Sequence, residues 1–139
     1  MAPTYTYDPS LEYLRVPINK FDDGRPEFGR YTVSAIIIIE ETALLVKRAE
    51  SDTMAGHWEV AGGGVDDHDK TFLDAVCREV LEETGLHVSH ISTLVAVDTW
   101  NHRSRTRIAR YSFLVEVREV SRSLPDGRLQ SVPRNEIPI

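Results

Sequence analysis

The chain has 139 residues, of which 41% are hydrophobic, and this is the size of one globular domain with a full core rather than of two domains. Its net charge of −6 argues against a protein that coats nucleic acid or an anionic membrane, because such proteins carry a basic surplus. The first ten residues lack a basic start and an apolar run, and no stretch approaches the roughly 18 apolar residues of a membrane helix, so we expect a cytoplasmic protein.

The two ends of the chain carry less pattern than its middle. Residues 1–30 are predicted to form an N-terminal extension, in which Asp8-Pro9 can cap a short helix. Residues 121–139 contain three prolines and no helical periodicity, and they are predicted to form an irregular C-terminal tail. The main domain is therefore placed at residues 31–120.

Between the two ends, the pattern predicts strands on either side of one helix. The strands are predicted at residues 32–39, 43–47, 58–61, 88–98 and 108–117. The glycines at 62–64 are expected to break regular structure, and the aspartate-rich residues 65–70 are expected to form a loop. Thr71 and Asp74 resemble a capping box and Gly85 suits a left-handed cap, so a helix of about thirteen residues should begin near Phe72. This order of elements predicts an α/β sandwich with a mixed sheet.

Three carboxylates are concentrated near the end of this helix. Glu79, Glu82 and Glu83 fall within an arc of roughly 100° on one side of it, whereas Cys77, the only cysteine, lies on the apolar side as a small core residue. Like charges at these spacings weaken a helix by a few tenths of a kcal/mol per pair, and a bound divalent cation would reverse that cost. Because the donors are all oxygen, magnesium or manganese fits better than zinc. A solvated acidic face is the alternative interpretation.

The residues around these acids resemble the signature of the Nudix hydrolases, also called the MutT-like family. The second half of that signature is Arg-Glu, an apolar residue, any residue, Glu-Glu, any residue, Gly and an apolar residue, and residues 78–86 match it without exception. Residues 58–65, which enter the glycine loop, agree as well. The first half departs from the signature, because Lys70 stands where the family has a glutamate. Since the loop looks one residue longer than the usual form, Asp69 can stand in for that acid.

The resemblance implies a Nudix-type α/β/α sandwich and a metal-dependent hydrolase that cleaves the diphosphate linkage of a nucleoside diphosphate-linked substrate. It implies Mg²⁺ or Mn²⁺ as the cofactor, an arginine that orients a glutamate, and Glu82 as a ligand or as the base for water. By position in the signature, the implicated residues are Arg78, Glu82 and Glu83 for catalysis, and Glu79, Glu82, Glu83, Asp69, Gly63 and Gly64 for the metal.

Residues near the fourth and fifth predicted strands are candidates for contacting the substrate. Trp100 and His102 lie where the family often places base-stacking or acid residues. Arg103, Arg105 and Arg107 alternate, which in a strand would direct them to one face, where they could meet phosphates; of these we take Arg105 and Arg107 as candidates. Packing or a solvated strand edge is the alternative for each.

A second hypothesis is a Nudix-fold protein with weak or lost hydrolysis that acts as a nucleotide-binding or regulatory module. Lys70 at the acid position and the irregular tail support it. On either hypothesis the partner is a small diphosphate or nucleotide, with no stable nucleic-acid complex and no membrane. The N-terminal extension could cover a sheet edge or a dimer partner, so a homodimer stays open. The segments that would select the substrate match no selective motif.

Overall fold

A mixed β-sheet with an α-helix forms the fold, as the sequence predicts. The computed structural model describes residues 4–21, 28–40, 42–47, 58–66, 68–102, 106–118 and 129–133. Within them, the elements are β1 (Thr6–Tyr7), 3₁₀ helices at Pro9–Leu14 and Ile18–Lys20, β2 (Phe28–Ile39), β3 (Thr42–Lys47), β4 (Trp58–Glu59), β5 (Ala61–Gly64), α1 (Phe72–Thr84), β6 (Val88–His102), β7 (Thr106–Val117) and β8 (Leu129–Pro133). Since α1 is the one α-helix in this part of the chain, the second helical layer of the predicted sandwich stays a prediction.

Strand β2 lies at the centre of the sheet, whose order is β1-β6-β7-β2-β3-β4. It pairs in parallel with β7, and on its other edge it pairs antiparallel with β5 and then with β3. Alternate residues of β2, such as Val33 and Ala35, belong to the core shared with α1, while Ser34 faces the other side and meets Ser112 of β7. Residues of both faces of β2 are buried, which explains the nearly continuous apolar run that predicted the strand.

Two predictions of irregular structure are wrong. The three glycines do not break the sheet, because they belong to β5 and pair with β2, with Gly64 opposite Thr32 and Gly62 opposite Ser34. Part of the tail is also regular, because β8 pairs antiparallel with β3. Pro133 stands at the end of β8, where a missing backbone N–H interrupts the ladder least.

Helix α1 has the predicted ends. The Thr71 hydroxyl accepts a hydrogen bond from the Asp74 amide at 3.1 Å, and Gly85 closes the helix with φ of 77°, which is the left-handed region that glycine adopts without strain. Cys77 packs against the hydrophobic core, where burial, aided by the charge of Asp74, raises the pKa of its thiol to about 12. Among the described residues, no helix is long and apolar enough to cross a membrane.

The N-terminal extension packs into the core. Asp8 accepts a hydrogen bond from the Ser10 amide at 3.0 Å and caps the first 3₁₀ helix, which confirms the predicted short helix. Leu11 and Leu14 of that helix are buried in the core cluster. Tyr5 is also buried there, and its hydroxyl donates to Asp74 Oδ1 at 2.7 Å, so the extension is tied to the first turn of α1.

We expect Tyr5→Phe to lower the free energy of unfolding by about 1 kcal/mol at pH 7, because the variant loses this hydrogen bond. Burial, with the Asp74 hydrogen bond and charge, raises the pKa of Tyr5 well above its usual range. The fold therefore favours the neutral phenol, and the stability that this contributes is complete below pH about 10 and is lost as the pH rises further. Urea unfolding between pH 7 and pH 11 should show a shallower alkaline decline for Tyr5→Phe than for the native chain. Exposed Tyr13→Phe is the control, and equal alkaline slopes for all three proteins would contradict the assignment.

Candidate functional site

Side chains from the aspartate loop, β5 and α1 meet around Arg78. Its Nε and Nη2 donate to the two oxygens of Asp69, both at 2.8 Å. Its Nη1 donates to Glu79 at 2.9 Å and to Glu82 at 3.0 Å, and Nη2 also donates to the Gly64 carbonyl at 3.0 Å. One guanidinium thus binds three carboxylates and the end of β5. Its pair with Asp69 has the bidentate geometry that arginine favours.

Asp69 is the acid of the extended loop, and it faces Arg78. Its side chain is 4% exposed, and Oδ2 also accepts from the Asp66 amide at 2.8 Å. Burial works to raise the pKa of Asp69, but the hydrogen bonds from Arg78 and Asp66 with the Arg78 charge outweigh it, so this pKa lies below its usual range. Lys70 is exposed. Because both Asp69 oxygens are engaged with protein donors, Asp69 in the structure is the ion-pair partner of Arg78, and its role as a metal ligand stays a prediction.

Glu79 is the most buried of the three helix carboxylates, and it lies directly against Gly63. A Cβ added at Gly63 would come 2.6 Å from Glu79 Oε2 and 2.7 Å from Oε1, so the Glu79 carboxylate would have to move away. Burial raises the pKa of Glu79, and Arg78 opposes that rise in part. The glycine at position 63 is therefore required for the close approach of β5 to this carboxylate.

The other two carboxylates flank Glu79. The Gly62 amide donates to Glu83 Oε2 at 3.3 Å, so β5 holds Glu83 through its backbone. The Glu82 side chain is 58% exposed and meets Arg78 one helical turn away. In the described residues, no group of three or more His, Cys, Asp or Glu side chains is already arranged to hold a metal ion. Asp69, Glu79 and Glu82 each accept a hydrogen bond from Arg78 instead.

A cleft of about 220 Å³ opens beside Gly62 and Gly63. Apart from Val33, its β2 and β7 residues alternate with those that pack under α1, so it opens on the other face of the sheet. Trp100 lines this cleft and is 38% exposed, with the Arg110 guanidinium 5.6 Å from its ring centroid. Arg110 is held by Asp98, through bonds of 3.1 Å from Nε and 2.9 Å from Nη2.

Three further cleft residues carry hydroxyl groups that sequence reasoning missed. Ser34 and Ser112 hydrogen-bond to each other at 2.7 Å on the cleft floor. Thr32 also lines the cleft, and its Oγ1 is buried with no hydrogen-bond partner among the described residues. A buried hydroxyl without a partner is costly unless a ligand or water supplies one.

The remaining substrate candidates divide differently from the sequence-based expectation. Trp100 lines the cleft, whereas strand alternation directs Arg107 to the face on which α1 packs, with Ala109 and Tyr111. Arg105 and the side chain of His102 lie outside the part of the chain that the structure describes. Arg110 takes the cleft position instead; a cross-strand pair with Asp98 could have identified it only if the β6–β7 register had been known.

Comparisons with known proteins agree with the fold and with the signature. A model of the NUDIX domain matches residues 29–137. A MutT NUDIX hydrolase from Burkholderia pseudomallei is 26% identical with a TM-score of 0.62, over 79% of this chain and 87% of that structure. The E. coli ORF135 protein is 27% identical with a TM-score of 0.61, over 77% of this chain and 75% of that structure.

Two curated relatives share a shorter segment, and both are named RNA pyrophosphohydrolase. The protein from Psychrobacter sp. (strain PRwf-1) is 40% identical over 57 residues, which is 41% of this chain and 30% of that protein. The protein from Ruthia magnifica subsp. Calyptogena magnifica is 38% identical over 61 residues, which is 44% of this chain and 31% of that protein. The chain thus matches less than a third of the length of either relative. The family model, by contrast, covers most of the chain, and the chain therefore belongs to the Nudix hydrolase family.

Proposed function

We propose that the protein is a metal-dependent hydrolase that cleaves the diphosphate linkage of a nucleoside diphosphate-linked substrate. The observation that carries the proposal is the Arg78 network, which gathers carboxylates of two segments beside a glycine strand, where a side chain at position 63 would displace Glu79. The ion pair between Arg78 and Asp69 supports Asp69 as the loop acid in place of Lys70. Lys70 is then a weaker argument for lost hydrolysis.

The donor set suits Mg²⁺ or Mn²⁺, the ions that Nudix hydrolases generally use. Arg78 contacts only one oxygen of Glu79 and one of Glu82, and the available donors are carboxylate and carbonyl oxygens. We assign Glu79 and Glu83 as the principal ligands, with Glu82 as a ligand or as the base, and the carbonyl of Gly63 or Gly64 as a further donor. A divalent cation held there would neutralise diphosphate charge and acidify a water molecule.

In this proposal each protein group has a stated task. Arg78 fixes the Glu79 carboxylate, and the exposed Glu82 can accept a proton from the attacking water because its side chain reaches solvent. The cleft takes the organic part of the substrate, with Trp100 as an apolar platform and the Thr32 hydroxyl as a polar contact, beside the Arg110 guanidinium that Asp98 holds. At about 220 Å³, the cleft accommodates one small planar group rather than two.

We expect Glu82→Gln and Glu83→Gln each to lower turnover by about 100-fold or more, because each loses a charged oxygen that binds the metal or accepts a proton. The measurement is pyrophosphate and phosphate release with Mg²⁺ from nucleoside triphosphates, dinucleotides, sugar nucleotides and RNA. RNA is included because two relatives are named RNA pyrophosphohydrolase. Glu116→Gln, an equal change of charge at an exposed position on β7, is the control and should retain activity.

The same panel separates this proposal from a binding or regulatory module. Turnover that neither substitution alters, or no turnover of any substrate at micromolar enzyme, would exclude the hydrolase. A nucleotide that raises the melting temperature without forming product would then favour the binding module.

A further inference from the structure

A second and larger hollow lies beside the aspartate loop. This groove has a volume of about 920 Å³ and lies between residues 17–19, at the start of the 3₁₀ helix Ile18–Lys20, and residues 65–66 and 68–71. The two walls are joined by a hydrogen bond from the Ile18 amide to the Lys70 carbonyl at 3.1 Å. It shares no lining residue with the Trp100 cleft, and Asp69 places it next to the Arg78 network.

Three cationic side chains line this groove: Arg15, Arg30 and Lys70. Arg15 is held in place, since its Nη1 donates to the Tyr7 hydroxyl at 2.9 Å and its guanidinium lies 5.2 Å from the Tyr7 ring centroid. Arg30 and Lys70 are exposed. Arg30 Nη2 lies 4.0 Å from the position that a Cβ at Gly64 would occupy. Arg30 therefore borders both the groove and the end of β5.

The acidic residues of the groove are already engaged. Asp69 is bound by Arg78, and Asp74 Oδ1 accepts from the Tyr5 hydroxyl at 2.7 Å. Asp66 Oδ1 accepts from the His68 amide at 3.0 Å. His68 and Asn19 also line the groove and can donate hydrogen bonds. Because Asp69 is neutralised by Arg78, the three lining cations outnumber the two remaining lining carboxylates, Asp66 and Asp74.

Among the described side chains, the carboxylate site itself offers one cation to a polyphosphate substrate. Arg78 is the cation at that site, and its donors are directed to Asp69, Glu79, Glu82 and the Gly64 carbonyl. We propose that the groove is a second anion-binding site, in which Arg30, Lys70 and Arg15 receive the distal phosphate group of a polyphosphate substrate. This inference rests on the proposed function, and it assigns the organic part and the distal phosphate of the substrate to two separate hollows.

Binding of inorganic tripolyphosphate, measured by calorimetry in buffer with EDTA, tests the groove apart from catalysis. Without a divalent ion the carboxylate site repels this probe, so binding reports on the cations. We expect Arg30→Gln and Lys70→Gln each to raise the Kd by about 10-fold, because each loses one charge-assisted contact to phosphate. Lys20→Gln is the matched control, since it removes the same charge from the neighbouring 3₁₀ helix at a residue that does not line the groove.

Two outcomes of the binding experiment would overturn the proposal: no binding by the native chain, or a loss in Lys20→Gln as large as in Arg30→Gln. Melting temperatures should match across the variants, because the substituted side chains are exposed. In the hydrolysis assay, Arg30→Gln should raise KM for substrates with a distal phosphate and leave kcat and the shorter substrates unchanged. If no substrate is hydrolysed, the proposed function fails while the binding result still decides the groove.

Discussion

Gly63→Ala should abolish most of the activity while leaving a folded protein. The added methyl group would overlap the Glu79 carboxylate, whose three outer atoms lie 2.6–2.7 Å from its position, so the side chain must move away from β5. A displacement of about 1 Å in a reacting group can cost roughly 100-fold in rate, and that is the loss we expect in kcat. The measurement is the initial rate of product release with Mg²⁺, together with thermal unfolding, which should show a loss of about 1–3 kcal/mol from overpacking.

The neighbouring glycines provide the comparison. Gly64→Ala is the matched control, because its methyl group would meet nothing nearer than the Arg30 guanidinium at 4.0 Å and the Gly64 carbonyl is retained. It should lose much less activity than Gly63→Ala. Gly62→Ala is unsuitable, because its methyl would lie 2.4 Å from the Val33 carbonyl oxygen and would disrupt the sheet. Equal activity of the variants at 63 and 64 would show that Glu79 does not need its contact with β5.

Asp69→Ala should be the most destabilising change in the aspartate loop. It removes both bonds to Arg78 at 2.8 Å and leaves that guanidinium, which is 25% exposed, without its bidentate partner. We expect a loss of about 2–3 kcal/mol in the free energy of unfolding at pH 7. Activity should fall too, because Arg78 would no longer hold Glu79 and Glu82 in their present positions.

The pH dependence of this loss has a definite sign. The pKa of Asp69 is lower in the folded chain than its ordinary value of about 4, so the ion pair stabilises the fold above that pH. The stability difference between the native chain and Asp69→Ala should therefore shrink as the pH falls below about 4. Lys70→Ala is the control for unfolding, since Lys70 is exposed. A larger loss of stability in Lys70→Ala than in Asp69→Ala would contradict the assignment of Asp69 as the ion-pair partner of Arg78.

Local sequence signals predicted the helix and its acids well. Thr71 and Gly85 determine the ends of α1 through single hydrogen bonds and one backbone angle, and such signals are readable in a few residues. Counting back from Arg78 places Lys70 at the acid position, and Asp69 is preferred because the loop looks one residue longer; in the structure Asp69 is paired with Arg78. The metal-binding and catalytic roles of these residues stay predictions.

Features that depend on pairing between distant segments could not be read from the sequence. The glycines at 62–64 carry a loop composition, and they become a strand because β2 offers them a ladder. Arg110 became a cleft residue, and Arg107 did not, because one position of register along β7 decides the face of the sheet. The groove lined by Arg15, Arg30 and Lys70 lies between the extension and the aspartate loop, two segments that share no sequence motif.

The central pairing of β2 with β7 has a consequence for how the protein folds. Ser34 and Ser112, which hydrogen-bond across this pair, are 78 residues apart in the chain, and α1 lies between them in sequence. Forming that pair costs the entropy of closing a long loop, and proteins with many such distant pairings typically fold in milliseconds to seconds. The carboxylate helix can form early from local contacts. Its approach to the glycine strand must wait for β2, the strand on which β5 assembles.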